Sequence, residues 1–295
     1  MYLCCLCPRN CNVDRDQKTG ICGMPDRIYL ARAALHTWEE PCISGKTGSG
    51  TVFFAGCNLH CVYCQNYEIA HAAAGKEVPP ERLVDIFFEL QEKGAANLNL
   101  VTPTHYVLQI ISAVKEARKR GLRIPIVYNT SGYENVDTLK MLEGVVDVYL
   151  TDFKYWEEQT AWKYSKARDY PRVVKAAVEE MVVQAPRPVF DQKGMMQKGV
   201  IVRHLLLPGH VREAKNVVKY LYESYGPQIY LSLMNQYTPS DRLQDRYPEI
   251  ARKTTKREYN NLINYACDLG VGQAYIQEGD TADESFIPSF NYEGV

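Results

Sequence analysis

The sequence has no apolar run of the roughly 18 residues needed to cross a bilayer, which excludes a transmembrane helix. Its N-terminus, MYLCCLCPRNC, lacks a charged stretch followed by an apolar core. No secretory signal is read there, and a cytoplasmic protein is expected. Excess charge is missing too. Lys and Arg number 34 against 35 Asp and Glu, a formal net charge of −1. That gives no broad electrostatic footprint for nucleic acid or a membrane surface. The one basic cluster, KEARKR at 115–120, reads as the solvated end of a helix. No segment is of low complexity. Cysteine is nearly absent from most of the chain, because only Cys267 lies beyond residue 64.

The other nine cysteines crowd into the first 64 residues, at 4, 5, 7, 11, 22, 42, 57, 61 and 64. A disulfide framework belongs to an oxidising compartment and usually to a short secreted chain. Neither is indicated, so clustered thiols read as metal ligands. At 295 residues, with 46% apolar and 23% charged side chains, the chain is long enough for a sizeable core.

From about residue 50 the text alternates between short apolar runs and longer helical ones. The runs are TVFFAG (51–56), NLNLV (97–101), PIVYNT (125–130), VDVYLTDF (146–153), GVIVRHLLL (199–207) and QIYLSLM (228–234), with AYIQ (274–277) as a seventh. Helices are expected over 79–94, with Gly94 as the stop, over 103–121, with Gly121 as the cap, and over 211–225 and 258–270. A less regular helical region spans about 155–186, and RPVFDQKG reads as a loop. Six such repeats imply parallel strands with right-handed crossovers, and near-continuous apolar strands imply that both faces are covered. The fold class is α/β: a partial (β/α)6 TIM-type barrel with a small N-terminal cysteine-rich module, an open doubly wound sheet being the alternative. Residues 1–45 are read as the cysteine-rich metal-binding module and 46–295 as the barrel. The segment WEEPCISGKTGSG between them reads as a linker or as a loop over the barrel mouth.

Both architectures place ligand sites at the carboxyl ends of strands. Strand one ends in the loop GCNLHCVYCQN (56–66). Strand two ends in Thr102-Pro103-Thr104-His105, strand three in Asn129-Thr130-Ser131-Gly132-Tyr133 and strand four in Asp152-Phe153-Lys154. Strand five carries Arg203-His204, and strand six ends in Asn235-Gln236-Tyr237. Arg203 lies in an apolar strand, where a charge is costly unless a carboxylate pairs it. His204, on the opposite face by strand alternation, reads as structural.

Cys57, Cys61 and Cys64 form C-x3-C-x2-C, one thiolate short of a closed tetrahedral site. An iron–sulfur cube normally takes four cysteines, and with three it keeps one open iron. A zinc held by three thiolates and His60 is the competing reading. The N-terminal Cys4, Cys7, Cys11 and Cys22 could close a second site, and thiolates suit both zinc and iron–sulfur.

The cysteine string, with its aromatic Tyr63, resembles the radical S-adenosylmethionine (SAM) superfamily. GCNLHCVYCQN, NTSGY (129–133), DFK (152–154) and VRHLLLPG (202–209) are similar to strings of the activating enzymes of pyruvate formate-lyase and other glycyl-radical enzymes, over about residues 50–240. The resemblance implies that Cys57, Cys61 and Cys64 hold a [4Fe-4S] cluster whose open iron takes the SAM amino and carboxylate groups. One electron then cleaves the sulfonium, and the 5′-deoxyadenosyl radical takes a hydrogen atom from a substrate. It implies Tyr63 near the cluster and adenine, Asn129 and Ser131 at the ribose or methionyl part, and Asp152, Lys154 and Arg203 as charged contacts. Asn235 joins them as a candidate contact. The Gly-Gly-Glu-like string that grips the SAM amino group in the superfamily is missing, since that place reads LVTPTH. Asn99, Thr102 and Thr104 are the available stand-ins, and none carries a negative charge. Implied partners are a glycyl-radical enzyme as protein substrate and an electron donor such as flavodoxin or ferredoxin. A radical SAM enzyme acting on another peptide, RNA or a metabolite is a second reading, and a non-catalytic metal-binding redox sensor or scaffold is a third.

Overall fold

The computed structural model describes residues 3–71, 74–277 and 288–295. Ten strands alternate with nine α-helices among the described residues. The strands are β1 Ile28–His36, β2 Ser49–Phe54, β3 Lys76–Val78, β4 Leu98–Val101, β5 Ile126–Thr130, β6 Val148–Asp152, β7 Val189–Phe190, β8 Met196–Leu205, β9 Tyr230–Met234 and β10 Ala274–Ile276. The helices are α1 Pro41–Ser44, α2 Tyr67–Ala70, α3 Pro80–Glu92, α4 Val107–Lys119, α5 Val136–Lys140, α6 Glu158–Ser165, α7 Tyr170–Gln184, α8 Val211–Tyr225 and α9 Lys256–Asp268.

The sheet runs β10-β9-β8-β6-β5-β4-β2-β1-β3. From β2 to β10 every neighbouring pair is parallel. These strands follow chain order with no reversal. A doubly wound sheet reverses its order at a switch point, so this is the winding of a barrel left open. Burial explains the continuous apolar runs: all four residues of β4 and all five of β5 are buried. Helix ends fall where glycine frees the backbone. Gly94 and Gly121 follow α3 and α4 at φ 81° and 102°. Helix α9 starts on a capping box between Thr255 and Glu258.

Three features differ from the expected organisation. Residues 28–36, inside the stretch read as the cysteine module, form β1, which pairs antiparallel with β2 and β3. The first half of the segment read as linker or mouth loop, residues 38–44, lies inside the curve of the sheet. Cys42 and Ile43 pack with Val127, Val148, Leu150 and Ile201. The Asn97 amide donates to the Ile43 carbonyl at 2.7 Å. An open barrel cannot fill its own interior from six or seven strands, and this inserted turn fills the lower layer instead. RPVFDQKG, read as a loop, holds the two-residue strand β7 against β8.

Residues 3–25 carry no regular element and sit on the barrel's carboxyl-end face. Cys57 N–H donates to the Cys22 carbonyl at 3.3 Å. A Cβ on Gly56, at φ 83°, would lie 2.2 Å from Met24 Cγ, so only glycine permits this approach.

Candidate functional site

Residues from several strand ends line a cavity of about 210 Å³. Cys61, Tyr63 and Cys64 line it from the β2–α2 loop, Asn129 from β5, Asp152 and Lys154 from the end of β6, and Arg203 from β8. Cys57 lies on the same loop, where its sulfur accepts the Leu59 N–H at 3.3 Å.

Arg203 is the hub of the charged layer. Its Nε donates to Asp152 Oδ1 at 2.8 Å, one terminal nitrogen to Asn129 Oδ1 at 2.6 Å and the other to Glu39 Oε2 at 3.1 Å. Lys154 Nζ donates to Asp152 Oδ2 at 2.5 Å. Burial alone would raise the Asp152 carboxyl. Arg203 and Lys154 outweigh it and hold the group below its usual range. Burial likewise works against the Arg203 and Lys154 cations, and Asp152 leads the charges that raise both instead.

Glu39 has no counterpart in the sequence reading. Its Oε1 accepts from Asn99 Nδ2 at 3.0 Å and from Asn129 Nδ2 at 3.2 Å, and it faces the cavity. Burial raises its pKa, with Arg203 opposing. The segment read as a linker therefore places a carboxylate in the site. The paired glutamates of Trp38-Glu39-Glu40-Pro41 were the available signal.

Several expected residues are turned elsewhere. Asn99 meets Glu39 rather than the cavity wall. Thr102 takes φ 58°, strained for a β-branched residue, and its N–H donates to the Asn129 carbonyl at 2.9 Å. Thr104 donates its hydroxyl to Glu134 Oε1 at 2.6 Å, which points it away from the cavity. Ser131 contributes its carbonyl, which accepts from Tyr170 O–H at 2.8 Å. Asn235 lies beside the lining residues Met234 and Gln236, and its N–H donates to Gln277 Oε1 at 2.9 Å. His204 is buried, with Nδ1 2.6 Å from the Phe153 carbonyl.

Glu134 is a second residue missed from sequence. It is buried and receives hydroxyls from Thr104, Thr130 and Tyr128, so it fixes the ends of β4 and β5 together. Burial pushes its carboxyl up from 4.5 to about 7 against those hydrogen bonds. The folded chain thus keeps a proton that the unfolded chain releases near 4.5. The resulting stability is complete below that pH and is lost as pH rises to about 7. We predict that Glu134→Gln gains stability relative to the parent between about pH 5 and about pH 8, by roughly 3 kcal/mol at most. Urea midpoints at the two pH values measure it, and an equal difference at both would show that Glu134 does not titrate there.

The cysteine loop fits a cluster by its donor set. Three soft thiols share one loop, and burial raises Cys57 and Cys64, the latter to about 12, with neighbouring cysteines adding to the effect. Among the described residues, no three His, Cys, Asp or Glu side chains converge as ligands of one ion would. A cube spreads its thiolates over separate irons and does not need that convergence. His60, the fourth ligand a zinc would want, faces His71, with their Nδ1 atoms 3.3 Å apart. The N-terminal cysteines also lie near one another. Burial raises Cys7, to about 12, with smaller effects from Cys22 and Cys11, and raises Cys22, with smaller effects from Cys4 and Cys11. They too lack single-ion convergence.

Comparison with known proteins agrees with this geometry. Residues 51–185 match the family described as the radical SAM superfamily. The uncharacterized protein MJ0674 of Methanocaldococcus jannaschii is 29% identical over 272 residues, 89% of this chain and 74% of its own. MJ0808 of the same organism is 22% identical, over 97% of this chain and 84% of its own. In fold, the chain is similar to Streptococcus suis SuiB bound to the precursor peptide SuiA. The TM-score is 0.50 at 13% identity, and the match covers 76% of this chain and 47% of SuiB. No helix among the described residues is long and apolar enough to cross a membrane.

Proposed function

We propose that this chain, whose residues 51–185 match the radical SAM superfamily, reductively cleaves SAM and abstracts hydrogen from a peptide or protein substrate. The observation that carries the proposal is that Cys61 and Cys64 of the three-cysteine loop and the Asp152–Arg203–Glu39 network line one cavity. A [4Fe-4S] cluster held by Cys57, Cys61 and Cys64 would supply the single electron that cleaves the sulfonium. The remaining work belongs to the chain. SAM presents an ammonium and a carboxylate, and the cavity presents charges of both signs within one layer. Lys154 and Arg203 suit the carboxylate, while Glu39 and Asp152 suit the ammonium. Tyr63 offers an aromatic wall, fixed edge-on by Tyr155, Tyr164 and Tyr237. The inserted turn at 38–44 fills the barrel from below, which keeps water from reaching a radical by that side.

Glu39 is the carboxylate absent from LVTPTH. Glu39→Gln keeps the side-chain volume and removes the charge. A charge-assisted hydrogen bond contributes enough that SAM affinity should fall roughly 10- to 100-fold. Equilibrium dialysis on anaerobically reconstituted protein checks this, and an unchanged Kd would remove Glu39 from the binding site.

The peptide or protein class is supported by the strings shared with activases of glycyl-radical enzymes, and by the fold shared with SuiB, solved with a precursor peptide. The deciding experiment is anaerobic reconstitution with iron and sulfide, reduction, and addition of SAM. About four irons per chain and release of 5′-deoxyadenosine are expected. Iron-loaded, reduced protein that leaves SAM intact would favour a non-catalytic metal module. The same metal analysis decides the candidate second site at Cys4, Cys7, Cys11 and Cys22. About eight irons, or a zinc beside the four irons, would support it.

A further inference from the structure

We propose that Ser165 sets the reduction potential at the cysteine loop through a hydrogen bond to Cys61, and that Arg9 of the N-terminal segment is the clamp that holds it in place. The inference rests on the reading above, in which Cys61 is a cluster ligand. Ser165 closes α6 and is 1% exposed. Its Oγ donates to Cys61 Sγ at 3.1 Å, across 104 residues of chain. Tyr155 O–H lies 2.6 Å from the same Oγ. A serine hydroxyl has one proton, and here it goes to sulfur, so Tyr155 must be the donor to Ser165. The result is a buried relay, Tyr155 to Ser165 to Cys61, in which each hydrogen bond polarises the next. A donor aimed at a ligating sulfur favours the more negative, reduced state of a cluster and raises its potential.

The surrounding backbone is built to hold this contact. Just past Ser165, Lys166 takes the left-handed conformation at φ 51°, uncommon for a residue with a side chain. That turn ends the helix with the serine facing the loop. Arg9 then ties the two segments together. Its Nε donates to the Asn58 carbonyl at 2.7 Å and one terminal nitrogen to Leu59 at 3.3 Å. On the other side it donates to the carbonyls of Lys166 at 2.7 Å and Ser165 at 2.9 Å. Val62 N–H adds a direct tie to the Tyr164 carbonyl at 2.9 Å. Stability alone does not require the hydroxyl to end on sulfur, so a potential measurement separates tuning from packing.

The test is an EPR-monitored redox titration of reconstituted parent, Ser165→Ala, Ser165→Thr, Tyr155→Phe and Arg9→Ala. At equal iron content, Ser165→Ala should lower the ratio of reduced to oxidised cluster at fixed ambient potential about tenfold, close to 59 mV for one electron. Ser165→Thr, which keeps the hydroxyl, should return to within about threefold of the parent. Tyr155→Phe and Arg9→Ala should shift the potential in the same direction as Ser165→Ala. Arg9→Ala should add nothing in the Ser165→Ala background. A Ser165→Ala protein with a full cluster signal and the parental potential overturns the proposal. A parent that takes up no cluster overturns the underlying reading of Cys61, a different and recognisable outcome.

Discussion

Cys57→Ala is expected to abolish 5′-deoxyadenosine formation and to reduce iron in the reconstituted chain from about four atoms to near none. The reason is stoichiometric. Three thiolates already leave one iron without a protein ligand, and removing another leaves two. Two cysteines cannot hold a cube against competing thiols and water. The substitution is also mild for the fold. Cys57 sits at the end of the loop, half-buried, and its N–H bond to the Cys22 carbonyl survives in alanine. Loss of activity therefore reads as loss of the ligand, which circular dichroism of the metal-free protein verifies. Cys267→Ala is the matching control. That thiol is exposed on α9, far in sequence from the loop, and its removal should change neither iron content nor turnover. If Cys57→Ala cleaves SAM as the parent does, the assignment of the loop is wrong. The two cavity-lining cysteines, Cys61 and Cys64, should behave as Cys57 does.

How much of this could be read from the residues depended on whether the cause was local. The parallel strands announced themselves, because strands covered on both faces must be apolar throughout. Gly94 and Gly121 marked helix ends, because a left-handed residue is required there. The cysteine spacing was legible because all three thiols lie on one loop. Strand β1 was not legible, because it lies among the cysteines and pairs antiparallel on both sides, outside the β/α alternation. Glu39 was hidden for another reason. Its partners Asn99 and Arg203 lie 60 and 164 residues away, and no local pattern encodes those meetings. Thr104 shows the opposite error. Its place at a strand end suggested the ligand, but Glu134, 30 residues on, takes its hydroxyl. Ser165 had no local signal either, since only the turn at Lys166 and the clamp of Arg9 bring it to Cys61.

Arg203→Met is expected to cost about 3–5 kcal/mol of stability, because it leaves buried carboxylates without their cation. In a chain of 295 residues that lowers the melting temperature by roughly 5–8 °C. Asp152 keeps Lys154 at 2.5 Å, so Glu39 carries most of the loss, with Asn99 and Asn129 as its only remaining donors among the described residues. Glu40 deepens the effect, since it is buried nearby and the Arg203 charge partly offsets the rise that burial causes in its pKa. The prediction has an internal check. Adding Glu39→Gln to Arg203→Met removes the stranded charge and should recover about half of the lost stability, whereas two independent losses would add. Binding should not recover with it. Neither the double variant nor Arg203→Met retains the cation proposed to meet the SAM carboxylate, so both should bind SAM at least roughly tenfold more weakly than the parent. Thermal melts and equilibrium dialysis on the same four proteins separate the two roles. Stability restored with binding still lost would identify Arg203 as both the keystone of the charged layer and a ligand contact. Binding restored together with stability would confine it to the first role.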